Sequence, residues 1–103
     1  MISVVVYKSA DKITMIDITG HSGYDKSGKD IVCSAVSTAV WVSGNLLKKL
    51  NKDVEIEEDQ SLPRTTLKVN SMDELTEVIL DNLVETINEI SNDFKNYLKI
   101  KIK

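Results

Sequence analysis

The chain carries one imidazole and one thiol, His21 and Cys33, and they lie close together in the sequence. Both fall in Gly20-His21-Ser22-Gly23-Tyr24-Asp25-Lys26-Ser27-Gly28-Lys29-Asp30-Ile31-Val32-Cys33-Ser34-Ala35-Val36-Ser37, which also holds three of the four glycines. Cysteine attacks carbonyls as the thiolate, and a neighbouring base makes that form available. A thiol pKa of ~8.5 falls to ~3.5–7.5 at a helix N-terminus or beside a histidinium. If Asp30 caps a helix, Cys33 takes its third position. The unpaired N–H groups and the dipole of the first turn then favour a negative sulfur. These N–H groups, around Ile31 to Ser34, are also candidate donors to an oxyanion.

Each of these residues has a second reading. A free cysteine is commonly a small buried hydrophobe. Gly20, Gly23 and Gly28 could serve only as turn residues, or could let backbone approach a substrate and let the loop move. Asp30 reads first as an N-cap; an acid there could also orient His21. Tyr24 and Trp41 read as packing residues. On a helical wheel Cys33 shares a side with Ser37, Val40 and Gly44, at the edge of the apolar stripe. That places it beside a surface groove, with Ser34 and Ser37 as pocket candidates. The substrate loop is then Gly20, Ser22, Gly23, Tyr24 and Gly28, and Ser22 to Lys29 is expected to order on peptide binding.

The elements around this stretch alternate in type. Ile2 to Lys8 is β-branched and apolar on both faces and reads as a well-buried strand. Ser9-Ala10-Asp11-Lys12 turns the chain into a second strand, Ile13 to Thr19. Thr14, Ile16 and Ile18 fall on one face of it, and Ile13, Met15 and Asp17 on the other. After the glycine loop, Val32, Val36, Ala39, Ser43, Leu46, Leu47 and Leu50 form one helical stripe, ended by Asn51-Lys52-Asp53. Val54 to Glu57 is a strand, with Glu55, Glu57 and Glu58 as a solvated face. Gln60 to Pro63 turns into a strand with Thr65, Leu67 and Val69 on one side. Ser71 and Glu74 match a capping box. Leu75, Val78, Ile79, Leu83, Ile87, Ile90 and Phe94 form the second helix's stripe. Leu98, Ile100 and Ile102 alternate with lysines as a last strand. The order β-β-α-β-β-α-β predicts an α+β two-layer sandwich. Its small sheet is mixed or antiparallel and carries two helices on one face, in a single domain over 1–103.

Composition narrows the function classes. The 103 residues suit one domain, and 42% are hydrophobic and 28% charged. A net charge of −3 gives no basic excess for phosphates, so no nucleic-acid partner is expected. One Cys and one His are too few for a usual zinc site, and a lone Cys forms no internal disulfide. No metal and no cofactor is therefore expected. No stretch approaches the ~20 apolar residues of a membrane helix, and the N-terminus lacks a signal-peptide pattern. The expected location is the cytoplasm, without a membrane partner.

The motif closely resembles the signature of the bacterial ribosomal-processing cysteine protease family, Prp. That pattern runs Gly-His-x-Gly-Tyr, then Gly-x-Asp-Ile-Val-Cys, then small residues and Val-Ser. Gly20-His21, Gly23-Tyr24 and Asp30-Ile31-Val32-Cys33 match it in order. Asp25 departs from it, standing where the family has a small residue. The resemblance implies a homodimeric cysteine endopeptidase with His21 as base and Cys33 as nucleophile. It further implies removal of the N-terminal extension of a large-subunit ribosomal protein, the twenty-seventh of its series, after bulky apolar residues. The competing functions are a non-catalytic ribosome-associated binding module and a redox-sensing or acyl-transferring thiol protein.

Overall fold

The computed structural model describes residues 1–20, 30–59, 61 and 63–103. β1 (Ile2–Ser9) and β2 (Lys12–Thr19) pair antiparallel across the two-residue turn Ala10-Asp11. Both turn residues have positive φ, 52° and 63°. Hairpins favour such turns because their twist matches that of the strands. The register slips beside Tyr7, where Tyr7 faces Met15 but Lys8 faces Ile13. Thr14 is the extra residue, and its hydroxyl donates to the Tyr7 carbonyl at 3.2 Å. This bulge turns Ile13 inward, where it is buried. Simple alternation had set Ile13 on the face of Met15 and Asp17; the extra residue reverses it.

α1 (Ile31–Lys49) follows, then β3 (Val54–Asp59), β4 (Arg64–Val69), α2 (Glu74–Asp93) and β5 (Leu98–Ile102). The sheet order is β3-β4-β2-β1-β5, with β5 parallel to β1 and every other pair antiparallel. The fold is the expected α+β layout with a mixed sheet. Ile2, Val4 and Val6 of β1 face the helices and are buried, while Ser3, Val5 and Tyr7 on the other face are only half-buried. The strand was expected to be buried on both sides. Two layers cover only one face of the sheet.

Both helices are rotated relative to their expected stripes. In α1 the buried residues are Val32, Val36, Val40, Gly44 and Leu47, while Leu46 and Leu50 are exposed. In α2 they are Thr76, Leu80, Leu83 and Ile87, while Leu75 and Val78 are exposed. Each helix has more apolar residues than one face can hold, so the pattern alone leaves the rotation open. α1 is also long and apolar enough, by length and composition, for a membrane span, contrary to the sequence reading. One face of it is nevertheless packed into the core.

The helix ends follow local chemistry. Asn51, at φ 60°, ends α1 in a left-handed turn, and the Lys52 N–H reaches the Leu47 carbonyl at 2.9 Å. The cap of α2 is Asp73, whose carboxylate accepts the Thr76 N–H at 2.8 Å. The Ser71 to Glu74 capping box does not form. The Ser71 N–H is instead directed to the Asp53 carbonyl.

Candidate active site

Strands β1 to β4 and α1 itself line the space beside Cys33. β2 delivers Gly20, whose N–H donates to the Pro63 carbonyl at 2.8 Å. Gly20 has φ +88°, and a Cβ there would lie 2.6 Å from the Met1 carbonyl oxygen. Both facts require glycine. The end of β2 is thereby held between the start of β1 and the turn before β4, immediately ahead of His21.

Across the groove, α1 opens with Asp30 in extended conformation. Its carboxylate accepts the Cys33 N–H at 2.9 Å. Its carbonyl accepts the Ser34 N–H at 3.1 Å. Asp30 is buried, with 7% exposure, and Cys33 is half-buried at the third helical position. The capping role read from the sequence is present. It takes up two of the four first-turn N–H groups considered as oxyanion donors. Those of Ile31 and Val32 remain unoccupied by any described residue.

Cys33 lines a groove of about 230 Å³. Val36 and Ser37 form its helix side. Its floor and far wall are Ile2, Ile18, Gly20, Glu58, Asp59, Pro63, Arg64 and Thr65. Ser37 lies one turn beyond Cys33 on the same face, as expected. Ser34 does not line the groove among the described residues and is exposed. A one-residue step rotates a side chain by about 100°, away from its neighbour's face. His21, Ser22, Gly23, Tyr24, Asp25 and Gly28 lie outside the described residues, and so does the expectation that this loop orders on binding. Among the described residues no group of three or more His, Cys, Asp or Glu could hold a metal ion.

The β3–β4 wall was not read as part of the site. Val54, Ile56 and Glu58 share one face of β3, by alternation. Glu58 therefore joins the groove, while Glu55 and Glu57 stand on the open face of the sheet. Opposite Asp59 in the register is Arg64, the chain's sole arginine. Its Nε and Nη2 each donate at 2.9 Å to the two carboxylate oxygens of Asp17. The two signals available were the inward register of Glu58 in Val-Glu-Ile-Glu-Glu-Asp and the uniqueness of Arg64. Neither could be placed before the sheet order was known.

The geometry is a half-buried thiol at a helix N-terminus that lines a groove. Residues 1–99 match the family model described as cysteine protease Prp. The chain belongs to the Prp cysteine protease family. Its fold is that of Prp from S. aureus, described as an essential ribosomal processing protease, in complex with a covalently linked product peptide. The TM-score is 0.92 at 22% identity, over 100% of both chains. The same S. aureus protease with a substrate peptide gives 0.88 at 21%, again over 100% of both. SMU.848 from Streptococcus mutans gives 0.87 at 23% identity, over 99% of this chain and 93% of the other. No curated protein matches the chain.

Proposed function

We propose that this protein is an endopeptidase that removes the N-terminal extension of a bacterial large-subunit ribosomal protein, the twenty-seventh of its series. The observation that carries the reading is the position of Cys33, half-buried at the third residue of α1 and lining the groove, in a chain of the Prp family. The S. aureus relative with a covalently linked product peptide supports covalent chemistry by the thiol.

In this account the Cys33 Sγ, deprotonated by His21, attacks the scissile carbonyl carbon. The C–N bond breaks as His21 returns the proton to the leaving amine. Water, deprotonated by the same imidazole, then hydrolyses the thioester and frees the sulfur. The N–H groups of Ile31 and Val32 hold the oxyanion, since Asp30 already occupies the next two. Ile2, Ile18, Val36 and Pro63 give the groove an apolar lining suited to bulky apolar residues before the cut.

The protein works in the cytoplasm on newly made precursor, as a homodimer. Exposed apolar side chains support the dimer. Val42 and Leu46 stand on successive turns of α1, Leu50 is its C-cap, and Leu75 and Val78 lie near the start of α2. The test is incubation with the precursor followed by intact-mass analysis. One truncated product and one released extension are expected; a precursor of unchanged mass, bound or unbound, would reject the activity.

A further inference from the structure

We infer that Glu58 makes one subsite of the groove selective for a cationic side chain of the substrate peptide. The inference rests on the reading of this groove as the peptide-binding site.

Val54 and Ile56 face α1 and pack into the core, Ile56 against the space left by Gly44. Glu58 is the next residue in that row. An apolar side chain there would continue the packed row and narrow the groove. A glutamate leaves it open and charges its wall. Opposite it in the β3–β4 ladder is Thr65, which also lines the groove and carries no charge.

The other charges at this end of the groove are already matched. Arg64 spends two donors on both oxygens of Asp17, and Asp59 is its cross-strand neighbour. Asp59 also accepts the Ser61 N–H at 3.0 Å and the Ser61 hydroxyl at 2.7 Å. Glu58 has no ion pair or hydrogen bond through its carboxylate among the described residues. Among the described residues, this wall of the groove therefore presents one unmatched negative charge beside an apolar floor. An extended peptide with apolar residues over Ile2 and Ile18 and a Lys or Arg reaching Glu58 satisfies both features. A peptide with an acid at that position meets repulsion.

A peptide derived from the precursor cleavage region, with Lys, Gln or Glu placed at each position in turn, tests this. At one position the native protein should cut the Lys peptide about two- to fivefold faster than the Gln peptide, the range of an exposed ion pair. The Glu peptide should be slower still. The preference should shrink near 1 M salt, where screening acts within about 3 Å. Glu58→Gln should remove the Lys-to-Gln ratio at that position, and Glu58→Lys should invert it in favour of Glu. Glu57→Gln, on the open face of the sheet, should leave the ratio as it is. If the native protein cuts the set without preferring Lys anywhere, or Glu58→Gln keeps the preference, the inference is overturned and the protease reading stands. If the native protein cuts no peptide and no precursor, the protease reading falls, and the subsite with it.

Discussion

Two residues around Cys33 have separable jobs. Asp30 holds the first turn of α1 through the Cys33 N–H. Removing that cap by Asp30→Ala should cost about 0.5–2 kcal/mol in denaturant unfolding, whereas Asp30→Asn should retain most of it. Activity then distinguishes the two sequence readings of Asp30. If it only caps, Asn restores cleavage together with stability. If it also orients His21, Asn restores stability and leaves cleavage low. Gly20 is constrained differently, by a positive φ and by contact with the Met1 carbonyl. Gly20→Ala should destabilise the fold by about 1–3 kcal/mol and lower the cleavage rate, because it displaces the chain just ahead of His21. Unchanged stability in urea would show that the strand end is not held as described. The cap and the helix position of Cys33 were legible because both depend on neighbours in sequence. The far wall of Glu58, Arg64 and Thr65 was not, since it depends on which strands lie side by side.

At the scale of elements, the packing of α1 on β3 is decided by Gly44. A Cβ at this position would overlap Ile56 Cδ1 and crowd Leu67. Gly44→Val should therefore destabilise by about 1–3 kcal/mol through overpacking, and Ile56→Ala in the same chain should relieve part of that loss. Additive losses in the double mutant would contradict the proposed contact. An ion pair links the turn after α1 to the cap of α2. Lys52 Nζ lies 2.7 Å from Asp73 Oδ2, and Asp73 also caps α2. The hydrogen bond from Lys52, then that from the Thr76 N–H, holds the Asp73 carboxyl well below the usual carboxylate range. Its folded pKa lies below the unfolded one, so its contribution is complete at neutral pH and is lost as pH falls below about 4. The pair is exposed, so the effect is small. Asp73→Asn, which keeps a cap, should show a shallower loss of stability below that pH than the native protein; parallel curves would remove Asp73 from the acid response. Element order and type were readable from periodicity. The rotations of both helices and the bulge at Thr14 were not. Leu46, Leu50, Leu75 and Val78 are as apolar as the residues that are buried, and only the packed sheet selects between them.

For the molecule as a whole, the same four side chains and Val42 are large, apolar and exposed among the described residues. Light scattering at micromolar concentration should give about twice the chain mass of 11.5 kDa, and a charged residue at Val42 should shift the protein toward monomer. A fully active monomer would dismiss the dimer as a requirement. The central claim is narrower, namely that the thiol at the start of α1 cuts the peptide bond. It is tested most directly by the cleavage rate of the ribosomal precursor with native protein and with Cys33→Ala, both shown to be folded. The account predicts one defined cut by the native protein and a loss of more than about a thousandfold in the variant, because Cys33 is the chain's sole thiol. Near-native cleavage by Cys33→Ala would contradict it.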